Sequence, residues 1–438
     1  STIQLLQEFS LPLLAGVGVA LLVANVAPAF YDHLVHTPIT QYFSATAHHA
    51  GETLAADHGH AAVGHGETSF WTSHFFSMHF LVNDIFMVLF FGVAAKEITE
   101  ACLPGGALNP PSKAVNPLLG TLGGVLGPIG VFLLANTLFG QPEWTRGWGI
   151  PTATDIALAW LVARAVFGAR HPAVSFLLLL AVADDAIGLG IIAFGYPDPA
   201  HATEWLQTAW LIPGMLVAFG LRKFQVKSWV PYIAIGGTLC WWGLFSAHLH
   251  PALALVFIVP FLPGPKRDLG LFTEPRKEDL ATVEGHDGTS ALERFEHALK
   301  LPVDLGLFFF AFANAGVPLS GVTGLTWLVF FSLWIGKMVG ITGFSYLGTR
   351  LGFPLPEGMQ FKQLVMASMV AAVGLTVALF VSTQAFVEPG LQGAAKMGAL
   401  FSGLLAVLSV VVGRVLGMSP AKSKAPATWS SDRQPAAR

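Results

Sequence analysis

Two adjacent aspartates, Asp184 and Asp185, stand in the middle of the apolar run FLLLLAVADDAIGLGIIAF at residues 176–194. A charged side chain at the centre of a membrane helix costs about 2.5–3.5 kcal/mol on insertion scales, so such residues face a cavity or pair with one another. Three more share that setting: Asp84 in FLVNDIFMVLF, Asp155 in GWGIPTATDIALAWLVARAV and Lys337 in FSLWIGKMVG, the last read as the only basic residue well inside an apolar stretch. A buried carboxylate can be neutralised by a proton or by a small hard cation, and both compete for the same oxygens. Competition for one site is exchange. Asp184 and Asp185 are successive, so on a helix they point about 100° apart and divide their tasks. The plain alternative is a protonated or salt-bridged structural doublet, which leaves the other buried charges unexplained. Lys337 either snorkels or pairs with an aspartate, and its mid-span position favours pairing. Asp84 belongs to the same polar interior or orients neighbouring helices; Arg164 is close enough to a span end to snorkel.

The elements that must hold these groups are membrane spans. Of 438 residues, 53% are hydrophobic and 11% charged, against roughly 25% charged in an average soluble domain. Apolar stretches that approach or exceed the ~18–20 residues that cross the hydrocarbon core lie near 11–31, 77–98, 115–140, 148–167, 172–194, 205–221, 229–247, 249–263, 301–317, 324–349, 362–386 and 394–417, the eighth being short. The fold expected is an all-α polytopic membrane protein with about twelve spans. A net charge of −3 without a basic block excludes nucleic acid as a partner, and the lone Cys102 and Cys240 supply neither a disulfide framework nor a zinc knuckle. The first apolar run lacks a basic leader and reads as a retained span.

Lys and Arg collect in cytoplasmic loops. Residues 32–76, 195–204 and 318–323 contain none, whereas Lys113, Arg222, Lys266, Arg350 and Lys422 fall in the alternate set. An even number of spans with both termini cytoplasmic satisfies the rule, and only Arg146 and Lys396 sit on the wrong side. The organisation expected is therefore 1–263 with eight spans and a His-rich extracytoplasmic segment near 44–68, a charged cytoplasmic linker at 264–300, four spans in 301–418, and a cytoplasmic tail at 419–438. Within the linker, SALERFEHAL has helix formers behind a Ser cap.

Two spans carry interruptions. Pro151 disfavours helix at Ile150, and Thr152, Thr154 and Asp155 are helix-starting residues. Either a half-helix begins inside the span, where irregular backbone must line a cavity or be buried in protein, or IPTATD marks an interfacial start. In VAAVGLTVALF, Gly374 and Thr376 mark a second break, or Gly374 is a close-packing residue. Together they give paired interruptions in two three-span sets, 115–194 and 324–417, each opening with a Gly-rich helix (GTLGGVLGPIG, GKMVGITGFSYLG). Such pairs point to an inverted-repeat transporter with a midplane site.

In order along the chain, GWGIPTATDIALA, LLAVADDAIGLGIIA, LERFEHALKLPVDLGLFFFAFANAGVPLSG, IGKMVGITGFSYLGTRLG and VGLTVALF resemble the NhaA-type sodium/proton antiporters. The resemblance implies inverted repeats with two broken, crossing helices. It implies Na+ binding at Asp185 and Asp155 with Thr154 contributing oxygen, an Asp184–Lys337 pair, and a pH-response group of Glu97, Glu296, His297 and His250. The chain departs from the family pattern at KEITEA, where the charge near Glu97 is partly reversed, and at Asp304, an acid where an apolar residue is usual.

These readings predict a secondary transporter, not an enzyme. It would exchange cytoplasmic Na+ or Li+ for external H+ by alternating access in a bacterial-type inner membrane, electrogenically and under pH control. No cofactor is expected; the partners are membrane lipid and the ions, and a homodimer is an admissible assembly. One alternative is a sodium- or proton-coupled transporter of another solute on the same scaffold, against which one lysine among several aspartates argues. A different class is a membrane metal-binding or redox protein using the fifteen histidines, but those near 44–68 are not placed in facing spans as haem ligation requires.

Overall fold

Prolines and glycines decide where the apolar segments stop and bend. The computed structural model describes residues 11–38, 77–103, 106, 108, 111–169, 171–197, 202–264 and 290–418, so the His-rich segment near 44–68, most of the 264–300 linker and the 419–438 tail lie outside the described residues. The helices in chain order are α1 (Leu11–Val26), α2 (Pro28–His36), α3 (Met78–Cys102), α4 (Pro111–Phe139), α5 (Ile156–Phe167), α6 (Pro172–Gly195), α7 (Leu211–Lys223), α8 (Thr238–Ser246), α9 (Ala291–Ala315), α10 (Gly324–Arg350), α11 (Phe361–Ala371), α12 (Thr376–Ala385) and α13 (Pro389–Val415). Among the described residues, α3, α4, α6, α9, α10 and α13 are each long and apolar enough to cross a membrane. Two bent pairs are long and apolar enough when each is taken as one span: a 3-10 leg, Pro142–Thr152, meets α5 at 57°, and α11 meets α12 at 50°. The outer surface carries exposed Leu22, Leu134, Phe194 and Val407, the apolar exterior that hydrocarbon requires.

Two boundaries differ from expectation. The stretch expected at 249–263 forms 3-10 turns, Pro251–Phe257 and Val259–Phe261, because Pro251, Pro260 and Pro263 remove backbone donors. The span expected from 301 begins at Ala291. Ser290 Oγ accepts from the Glu293 amide at 3.2 Å and Glu293 Oε2 accepts from the Ser290 amide at 2.7 Å, a reciprocal cap that starts the helix early. Leu292 and Phe295 are then fully buried, so these first turns belong to the bundle.

The sets α4, 3-10 leg plus α5, α6 and α10, α11 plus α12, α13 have the same order of parts. Their first helices, α4 and α10, run antiparallel. Asn116, at the start of α4, donates to the Ser345 and Phe353 carbonyls at 3.0 and 2.7 Å near the end of α10, while Gly324, which opens α10, lies against Trp144 just beyond α4. Between these ends the two backbones touch: a Cβ on Gly123 would sit 2.1 Å from the Gly340 oxygen, and one on Gly340 2.0 Å from the Gly123 oxygen. A carbonyl cannot rotate out of the way as a side chain does. Gly340→Val is therefore expected to destabilise the protein by more than the about 1–3 kcal/mol of ordinary overpacking, read as a lower melting temperature in detergent.

Candidate functional site

The two bent spans meet at their breaks. Ala153 leaves the 3-10 leg in an extended conformation, Asp155 is extended too, and its Oδ1 caps α5 by accepting from the Leu158 amide at 3.1 Å. The Asp155 amide donates to the Val373 carbonyl at 2.8 Å, and its Oδ2 accepts from the Thr376 amide at 3.4 Å. One carboxylate thus stands at the N-termini of both α5 and α12, where unsatisfied amides and the helix dipoles favour negative charge. Gly374 allows the approach, since a Cβ there would lie 2.4 Å from the Ala153 oxygen. Ser402 of α13 meets the second break by accepting from the Gly374 amide at 3.2 Å, its single proton serving either the Ala399 carbonyl at 2.6 Å or the Gly374 carbonyl at 3.0 Å.

Beside this crossing α6 turns its two aspartates in different directions. Asp184 is buried; its Oδ2 takes the Lys337 ammonium at 2.6 Å and lies 2.7 Å from the Thr154 hydroxyl. Lys337 also donates to Thr154 Oγ1 at 2.5 Å, and that hydroxyl's single proton serves either Asp184 or the Ala371 carbonyl at 3.0 Å. Asp185 has no such partner: its Oδ1 is buried without a hydrogen bond, and the side chain lines a crevice with Phe90, Phe91, Ala94, Leu189 and Val377. Asp184, Asp155 and Glu97 are near enough for their charges to act on it. A carboxylate oxygen left without a partner in an otherwise apolar crevice, with the Asp184 and Asp155 carboxylates near it, is a hard ligand suited to a small hard cation or a proton.

The sequence model of the Na+/H+ antiporter 1 family matches residues 3–415. The chain belongs to this family. It is 55% identical over 416 residues to the Na(+)/H(+) antiporter NhaA of Geobacter sulfurreducens, covering 95% of this chain and 98% of that one. It is 54% identical over 422 residues to the NhaA of Desulfitobacterium hafniense, covering 96% and 97%, and 42% identical over 430 residues to that of a Jannaschia species, covering 93% and 96%.

The remaining residues singled out in this antiporter-family sequence fall in separate places. Gly374 and Thr376 lie at the crossing. Glu97 lies on α3, one turn beyond Ala94 of the Asp185 crevice. Glu296, on α9, pairs with Lys96, which also bonds Glu100 at 2.7 Å; the neighbouring His297 is exposed. His250 sits elsewhere, its Nε2 2.8 Å from the Tyr196 carbonyl and its ring against Phe380. It directly precedes the Pro251–Phe261 segment, beyond whose end Gly264 lies against Leu103 and Leu292. Asp84 lies in a π turn, Leu81–Phe86, with its carbonyl accepting from Trp241 Nε1 at 3.2 Å; it is not brought to the crossing.

Lys337 is not the only deep cation. Lys96 and Lys396 are 2% and 6% exposed. Lys96 stands close to the expected end of a span, where the sequence reads as polar punctuation, and α9 brings Glu296 to it. Ser402 carried no signal in an apolar helix. Among the described residues no cluster of three or more His, Cys, Asp or Glu could hold a resident metal.

Proposed function

We propose that the chain exchanges cytoplasmic Na+ or Li+ for external H+ by alternating access in a bacterial-type inner membrane, with both termini cytoplasmic. The observation that supports this best is the unpaired Asp185 carboxylate at the crossing of two broken spans, next to an Asp184 that is already tied to Lys337. In this reading Na+ binds at Asp185, with Asp155 as its partner; each Asp155 oxygen is engaged by an amide yet keeps a second lone pair for a cation. Na+ and protons neutralise the same acid, so only a loaded or protonated site crosses the barrier between inward-open and outward-open states. Lys337 holds Asp184 ionised while the two are paired, and loses a proton when Na+ binding draws Asp184 away. Two acidic groups allow more protons than cations per cycle, which makes the exchange electrogenic. Glu97 and the Lys96–Glu100–Glu296 group carry the pH response, and the family's relatives, named as Na(+)/H(+) antiporters, support the choice of substrate.

The test is a pH-gradient dequenching assay in proteoliposomes with each alkali cation in turn. Na+ or Li+ is expected to collapse an imposed gradient and K+ to act weakly; an inert response to both small cations would overturn the reading. The pH dependence has a definite sign. Acidification fills the shared carboxylates with protons, so the apparent KM for Na+ rises by about tenfold per pH unit for each proton displaced, one such factor being about 1.4 kcal/mol. A KM independent of pH would exclude a shared site.

A further inference from the structure

Lys396, which breaks the charge rule of the loops, sits one turn along α13 from Gln392 and donates to Gln392 Oε1 at 3.2 Å. It is 6% exposed, and among the described residues no carboxylate pairs with it; the nearby titratable side chain is His79, which stacks on His36, itself paired with Asp32. The Gln392 amide is oriented by its partners. An ammonium only donates, so Oε1 faces Lys396, and Nε2 then reaches the Thr383 and Phe386 carbonyls at 3.3 and 3.2 Å. Those carbonyls are at the C-terminal end of α12, where acceptors lack intrahelical partners and positive charge is favoured. The other end of α12 is the Thr376 amide on Asp155, and its first turn brings Val377 to the Asp185 crevice.

We propose that Lys396 is a positioning residue for ion exchange: through Gln392 it holds the C-terminal end of the half-helix α12, and so sets where that half-helix meets Asp155 and the ion crevice. The ten residues of α12 span about 15 Å, short enough to move as one rod between its two anchors. The ammonium stays in place without a counter-carboxylate because the amide and the helix carbonyls behind it supply the negative end of a dipole. The inference rests on the Na+/H+ reading above.

The experiment measures Na+-driven gradient collapse in proteoliposomes for the full chain, with wild type as the control that tests the exchange reading itself. Lys396→Met is expected to raise the apparent KM for Na+ by about tenfold, within the usual range of coupling between distant sites, and to leave the maximal rate within about twofold. Gln392→Leu should do the same, the double variant should do no more than either single one, and Lys396→Arg should restore a low KM. Should Lys396→Met fail to fold, Gln392→Leu carries the test alone. An unchanged KM in an active variant, or additive effects in the double variant, would overturn the proposal while wild-type exchange stands.

Discussion

Asp185→Asn is expected to abolish Na+-dependent proton movement and leave the protein folded. Asn keeps the volume of Asp and removes the charge. Because Asp185 Oδ1 has no hydrogen-bond partner, the substitution breaks no contact, and removing a charge from the neighbourhood of Asp184, Asp155 and Glu97 relieves repulsion. The melting temperature in detergent should therefore hold or rise. Transport should fall by more than the about 10–100-fold that follows loss of a supporting hydrogen bond near a metal site, because the group removed is the one that proton and cation share. Full exchange by this variant in proteoliposomes would remove the basis of the mechanism.

Lys337→Met should show the opposite pattern, a loss of stability that depends on pH. The substitution leaves Asp184 buried with only the Thr154 hydroxyl, and breaking a buried ion pair from one side costs about 3–5 kcal/mol. Protonation of Asp184 removes the unpaired charge. The variant should therefore be least stable at alkaline pH and recover on acidification, while wild type, with its pair intact, shows a smaller change. Adding Asp184→Asn should restore most of the lost stability at high pH, since neutral partners of similar shape replace the ion pair nearly without cost. Melting curves of the single and double variants across pH measure this. A single variant as stable as wild type at alkaline pH would mean that the lysine does not stabilise a charged Asp184.

The Asp184–Lys337 pair illustrates what a sequence reveals and what it withholds. Their charges stand out against apolar neighbours, and the 100° step between successive helical residues already requires the doublet to divide its roles. Which aspartate takes the lysine is not set by composition or spacing: the family resemblance implied Asp184, and the contact itself forms where α10 packs against α4 through Gly123 and Gly340 and Lys337 meets Asp184 and Thr154. Asp155 shows the same limit from another side. Its position after Pro151 marks a helix start, but its second oxygen serves α12, more than two hundred residues later, and no local pattern encodes that partner. Lys96 carries little signal because a lysine close to a span end reads as an interfacial residue; its partner Glu296 comes from α9, whose early start depends on the Ser290–Glu293 cap.

Composition and spacing by themselves determined that the chain crosses a membrane many times and that aspartates and a lysine sit in apolar runs, and they marked two spans as candidates for a central break. These follow from one-dimensional quantities: the cost of charge in hydrocarbon, the length of an apolar run, and the helix-breaking chemistry of Pro and Gly. The tertiary structure alone decided that one aspartate caps two half-helices and that Lys96 and Lys396 are buried, and it supplied the contacts of the Asp184–Lys337 pair that the resemblance had implied. Each of those outcomes depends on contacts between segments far apart in the chain, and their geometry is set by how closely backbones approach one another.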